Sequence, residues 1–131
     1  MIDKDINHLH PDLQPLCRAW LDKCKQQSID ARVIYTWRST AEQDALYAQG
    51  RTKPGKIVTN AKGGQSKHNF TLNGKPASKA FDWCIINPDG SANWNPNSPE
   101  WKAAVAIGKQ LGLVWGGEFK SILDYCHFEI G

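Results

Sequence analysis

His68, Asp82 and His127 are of the right chemical types to hold one metal ion with an open coordination position. Two imidazoles and one carboxylate fill three corners of a tetrahedral zinc site and leave the fourth for water. Water on such an ion loses a proton near neutral pH and can attack an amide carbonyl. Each candidate has suitable neighbours: Ser66-Lys67-His68-Asn69, Ala80-Phe81-Asp82-Trp83, and Asp124-Tyr125-Cys126-His127-Phe128-Glu129. The last segment also offers a base, Asp124, three residues before the final histidine. Metal-assisted hydrolysis is the chemistry these residues point to. Residue types alone also admit a 2-His-1-carboxylate iron oxygenase site and a structural ion closed by a fourth ligand, Cys84 or Cys126. The long stretch between His68 and Asp82 and the prominent helices argue against the oxygenase.

The elements around these residues decide whether they can converge. Leu13, Leu16, Cys17, Trp20, Leu21 and Cys24 recur at helical spacing and predict an amphipathic helix from about Pro11 to Gln27. Ala31 to Thr36 reads as a strand. Ser39-Thr40-Ala41-Glu42 has the form of a capping box opening a helix that runs to Gln49 and stops at Gly50. Residues 51–80 read as loop, and a loop that long in a compact domain is functional or disordered. His68 lies inside it, which favours function. Phe81 to Ile86 is a buried strand closed by the turn Asn87-Pro88-Asp89-Gly90. Ser98 as N-cap and Pro99 at the first helical position start a third helix that ends at Gly112. Leu113 to Trp115 and Tyr125 to Ile130 are read as strands, separated by a break at Gly116-Gly117. Strand alternation puts Asp82 on one face with Ala80 and Cys84, and His127 on one face with Tyr125 and Glu129. Asp124 can reach the same site only from the turn preceding the strand. A carboxylate within so apolar a strand requires a cation or a salt bridge to Arg or Lys.

The resulting fold class is α+β: a small single domain, residues 1–131, with an antiparallel sheet and about three helices packed around it. At 131 residues the chain can bury an ordinary core without disulfides. Cys17 and Cys24 lie on one helix about 10 Å apart, too far to bridge, so buried free thiols are expected. Of six tryptophans some are expected in the core, and a groove is open to the others. A net charge of +3 with scattered Lys and Arg, loosely clustered at Arg51, Lys53, Lys56, Lys62 and Lys67, gives no nucleic-acid stripe. It supports at most a preference for an anionic polymer. The polar, acidic start of the chain is unlike a signal peptide, and no apolar run approaches the ~20 residues of a membrane span. His8 and His10 sit in a polar segment and are not expected at the site.

Three motifs carry a resemblance. Ser66-Lys67-His68 followed by Ala80-Phe81-Asp82 resembles the Ser-x-His…Ala-x-Asp signature of the D-Ala-D-Ala carboxypeptidase/VanY-type zinc peptidases. Trp115-Gly116-Gly117-Glu118-Phe119 with Asp124-x-x-His127-Phe128 resembles their closing segment. Trp37 through Thr52 is similar to the L-alanyl-D-glutamate peptidases of phage endolysins. The resemblance implies a hedgehog/DD-peptidase-like fold and one Zn2+ held by His68, Asp82 and His127. It implies Asp124 as general base, Arg38 as oxyanion or substrate ligand, and Ser66 and Gln43 as substrate-contacting residues. The implied substrate is bacterial peptidoglycan, cut in its stem peptide at L-alanyl-D-glutamate. The expected setting is a monomeric endolysin without a separate wall-binding domain or stable membrane insertion. It would be held in the host cytoplasm until a separate pore-forming protein admits it to the wall. A D-Ala-D-Ala carboxypeptidase or dipeptidase is the nearest alternative, and a non-catalytic wall-binding module with a metal is a third. Glu118 and Phe119 depart from the family's commoner Asp and Trp. The segment from Thr71 to Pro76 is expected as a looped insertion near the cleft.

Overall fold

The structure is a computed structural model describing residues 2–120 and 122–131. Its helices are α1 (Gln14–Gln26), α2 (Thr40–Ala48) and α3 (Pro99–Gln110). Its strands are β1 (Asp30–Tyr35), β2 (Thr71–Leu72), β3 (Lys75–Pro76), β4 (Ala80–Ile86), β5 (Ala92–Asn93), β6 (Val114–Trp115) and β7 (His127–Glu129). The main sheet runs β1-β4-β7-β6, with β5 also on β4, and every pairing in it is antiparallel. The α+β expectation holds.

Local chemistry explains where the helices begin. Ser39 accepts from the Glu42 backbone while the Glu42 side chain accepts from Ser39, which is the capping box read from the sequence. Ser98 caps α3 on the Trp101 N–H, and Pro99 follows where a missing N–H costs nothing. One face of β4 supplies the core. Phe81, Trp83 and Ile85 are buried there with Phe128 of β7, Trp20 of α1 and Trp101 of α3. Trp83 stacks on Phe128 with ring centroids 5.1 Å apart. The Trp20 indole N–H donates to the Ala104 carbonyl at 2.9 Å, tying α1 to α3. The opposite face of β4 and β7 carries Asp82, His127 and Glu129.

Two segments differ from expectation. Residues 51–80 are not plain loop: β2 and β3 form a hairpin across Asn73 and Gly74, whose φ values are +53° and +75°. Two consecutive left-handed residues are what a tight type I′ hairpin requires, and Asn-Gly supplies them most cheaply. The predicted insertion is therefore a β-hairpin. β7 is also shorter than predicted, because Tyr125 and Cys126 form a turn. The Asp124 N–H donates to the Gly116 carbonyl at 2.9 Å and the His127 N–H to the Asp124 carbonyl at 3.3 Å, which curls the chain before the strand begins. Cys126 is thus not a strand residue.

The helix-to-sheet contact gives a stability prediction. A Cβ on Gly108 of α3 would lie 2.7 and 2.9 Å from two ring carbons of Phe128 and closer still to a third. Alanine ordinarily favours a helix interior over glycine by about 1 kcal/mol. Overpacking a full core costs about 1–3 kcal/mol, and Phe128 is fully buried. Gly108→Ala is therefore expected to lower the denaturant midpoint. A raised midpoint would show that the helix has room to move.

Candidate functional site

The register of the sheet assembles the site. Asp82 pairs with Tyr35 of β1 on one side and with His127 of β7 on the other, so all three form one row. His68 enters from the short 3-10 turn Lys67–Asn69, which Ser66 caps by accepting from the His68 N–H at 3.2 Å. The three candidate residues converge as the sequence suggested. Their donor atoms lie within 4.8 Å of one another. His68 Nε2 is 3.3 Å and His127 Nδ1 3.2 Å from Asp82 Oδ1. Ligands at 2.0–2.1 Å around a tetrahedral ion sit about 3.3 Å apart, so both spacings suit one small cation.

The outer nitrogens of the two histidines are also held. His68 Nδ1 donates to the Thr36 carbonyl at 2.7 Å, so Nε2 is the nitrogen that faces Asp82 and would ligate a metal. His127 Nε2 lies 2.8 Å from Glu129 Oε1, which turns Nδ1 inward. Metal-binding histidines characteristically have such an outer acceptor, which fixes their tautomer. The donor set fits a divalent ion.

Asp124 lies in the loop before β7, with Oδ2 3.6 Å from His127 Nδ1. It is aimed from the preceding turn, as strand alternation required. Gly116 makes that possible. A side chain there would run into the Asp124 carbonyl and come within 3.0 Å of the His127 Cβ. Cys126 donates to Asp124 Oδ1 at 3.5 Å, and its sulfur groups with Asp82 and Asp124, not with the two imidazoles. Cys84 sits farther along β4, opposite Arg32. All four cysteines are free, and burial pushes the thiols of Cys17 and Cys24 up to about 12.

Arg38 occupies the rim of the cleft with little freedom. Its guanidinium lies 4.3 Å from the Tyr35 ring centroid, donates to Gln43 Oε1 at 2.9 Å, and is 3.7 Å from Asp82 Oδ2. The salt-bridge partner considered for Asp82 therefore exists beside the two imidazoles. Gln43 is corrected: expected to touch substrate, it is fully buried, and its amide donates to the Ala61 carbonyl at 2.8 Å. Its place is behind Arg38. Glu118 pairs with Lys109 at 2.8 Å on the surface, an interaction of small energetic weight.

The cleft has a volume of about 930 Å³. Lys56 to Ala61, Phe119 and Ile122 to Asp124 line it together with Arg38, Ser66, Lys67, His68, His127 and Glu129. The loop expected over residues 51–80 does reach the cleft, through residues 56–61 and 65–68 and not through the hairpin. Tryptophan is absent from that lining; Phe119 packs against His127 with ring centroids 5.6 Å apart. His8 pairs with Asp3 at 2.6 Å, away from the cleft.

Charge within the site is strongly coupled. Burial disfavours the Asp82 carboxylate, but His68 and hydrogen bonds from both imidazoles outweigh it and hold its pKa below the ordinary range. Burial also disfavours a charged His127, yet hydrogen bonds to Asp82 and Glu129 lift it to about 9. Burial, then the charge of Asp82, raises the Asp124 carboxyl.

Residues 59–130 match the protein family described as D-alanyl-D-alanine carboxypeptidase. Over 130 residues the chain is 40% identical to the peptidoglycan L-alanyl-D-glutamate endopeptidase CwlK of Bacillus subtilis (strain 168), covering 91% of this chain and 74% of that one. The chain belongs to this peptidase family. It is an enzyme, a metallopeptidase. Its fold is also that of two solved structures. Serratia marcescens L-Ala D-Glu endopeptidase ChiX has a TM-score of 0.59 at 20% identity, covering 96% of this chain and 83% of that one. The LdcB LD-carboxypeptidase has a TM-score of 0.66 at 12% identity, covering 92% and 58%. No helix among the described residues of the peptidase is long and apolar enough to cross a membrane.

The raised pKa of His127 makes the chelator-treated peptidase pH-sensitive. Its folded pKa of about 9 exceeds the ordinary 6.5. The stability this contributes is complete below the lower value and is lost as pH rises through the higher. The melting temperature of chelated protein should therefore fall between pH 6.5 and 9, and fall less in His127→Gln. An equal fall in both would assign the pH dependence to other groups.

Proposed function

We propose that this peptidase is a zinc-dependent endopeptidase that cuts the peptidoglycan stem at the L-alanyl-D-glutamate bond. The observation that carries the reading is the convergence of His68 Nε2, Asp82 Oδ1 and His127 Nδ1 beside Asp124. The 40% identity to CwlK supports the choice of bond. In this reading His68, Asp82 and His127 hold Zn2+, which when bound supplies Lewis acidity toward water and the scissile carbonyl.

The chain's own residues provide the rest. Asp124 takes the proton of the attacking water at a carboxylate oxygen and returns it to the leaving amine. Its raised pKa brings it nearer the working pH, where an acid–base group is most effective. Arg38, fixed by Tyr35 and Gln43, turns its donors toward the developing oxyanion or a substrate carboxylate. Ser66 holds the His68 turn from the cleft wall and is placed to meet substrate. The resemblance of the Trp37 to Thr52 segment to phage endolysins motivates the further proposal of a role in host lysis. That role entails storage in the host cytoplasm and delivery to the wall by a separate pore.

The family description favours one second reading, removal of terminal D-Ala. Digestion of purified peptidoglycan with mass analysis of the products separates the two. Peptides beginning at D-Glu, with L-Ala left on the glycan, are expected; loss of terminal D-Ala alone would sink the endopeptidase reading. Asp124→Ala should retain one zinc per chain and lose about 10²–10⁴-fold in rate. Full activity in that variant would remove Asp124 from the mechanism.

A further inference from the structure

Glu129 and Lys67 form a buried-edge pair to which the hydrolytic mechanism gives no task, although both line the cleft. Glu129 Oε1 is 2.8 Å from His127 Nε2, and its other oxygen, Oε2, is 3.0 Å from Lys67 Nζ. Lys67 also donates to the Ile130 carbonyl, so its ammonium is anchored at the end of the strand that carries both Glu129 and His127. The Lys67 carbonyl accepts from the Lys79 N–H at 2.9 Å, and the Lys79 carbonyl from the Ile130 N–H at 2.9 Å. Lys67 immediately precedes His68. The chain segment bearing one candidate ligand thus grips the carboxylate behind the other.

We infer that Glu129, held in place by Lys67, is a positioning residue that sets the tautomer and orientation of His127. This rests on the metal reading of the site. A carboxylate can only accept, so Nε2 of His127 must carry the proton it donates, and Nδ1 is left as the ligand nitrogen. Without Glu129 the ring is free to turn or to present the other tautomer. Lys67 has a second effect. It occupies Oε2, so Glu129 does not swing inward to compete with Asp82 for the ion.

The arrangement differs at the two histidines. His68 is fixed by a backbone carbonyl, that of Thr36, which no substitution of side chain removes. His127 depends on a side chain two residues along its own strand, the spacing at which strand residues share a face. The two ligands should therefore respond differently to mutation of their outer partners.

The test is zinc affinity by chelator competition, with the cobalt-substituted visible spectrum and the imidazole ¹⁵N signals of the zinc-loaded protein as further readouts. Removal of an outer partner of a metal-bound histidine ordinarily weakens metal binding about 10–100-fold. Glu129→Ala should show a loss of that size with a changed cobalt spectrum. Glu129→Gln keeps an acceptor oxygen and should recover most of the affinity. Lys67→Met should weaken zinc by less than Glu129→Ala. If Glu129→Ala does not fold, Glu129→Gln and Lys67→Met carry the comparison, the former retaining the Nε2–H signal of His127. Unchanged affinity and spectrum in folded Glu129→Ala, or a wild-type His127 bound through Nε2, would overturn the inference while leaving the metal site intact. Failure of the wild type to bind zinc or cobalt would overturn the metal reading and this inference together.

Discussion

The pairing of β4 with β7 is the constraint on which the rest of the site depends. It places Asp82 directly opposite His127 while Phe81, one residue back, pairs with Phe128. The two rows point to opposite faces. One closes the aromatic core and the other builds the polar site. A slip of one residue would exchange them, burying a carboxylate and an imidazole among tryptophans and exposing two phenylalanines. Core packing and site geometry therefore enforce the same register. The Phe128 ring against Gly108 and Trp83 locks it from below.

Above that row, the difficulty is electrostatic. Asp82 has few exposed atoms, and a carboxylate there is stable only with compensating charge close by. His68, His127 and Arg38 supply it from three separate segments. A cation would take over part of that role and displace the extra proton of His127, which couples metal affinity to pH. The fixed outer nitrogens of the two histidines mean that little reorganisation is needed when this happens. Arg38 is held by Tyr35 and Gln43 as well as by Asp82, which keeps its charge at the cleft.

Much of this was legible in the chain because it follows short-range rules. The Ser39 capping box, the Ser98-Pro99 helix start and the alternation around Asp82 each depend on a few adjacent residues. So did the need to aim Asp124 from a turn. The hairpin at Asn73-Gly74 carried an equally local signal, masked by its setting among many loop residues. Gln43 was misplaced for a different reason. Its helix exposes some residues and buries others, and only tertiary packing against Ala61 decides which. Glu129 shared a face with His127 by simple alternation, yet its partner Lys67 lies far off in sequence, and nothing local announces that contact. The meeting of residues 56–61 and 122–124 along one cleft is likewise a product of the assembled chain.

Family membership and the fold are common to enzymes whose names specify different bonds in the same polymer. The chemistry proposed for the site requires a single cation held by His68, Asp82 and His127 alone among side chains. Anomalous diffraction from crystals of the purified enzyme, measured on either side of the zinc absorption edge, tests it most directly. One peak per chain is expected, bonded to His68 Nε2, Asp82 Oδ1 and His127 Nδ1, with the remaining position open to solvent. A peak elsewhere, an edge belonging to iron, or a fourth bond from the Cys126 sulfur would contradict it.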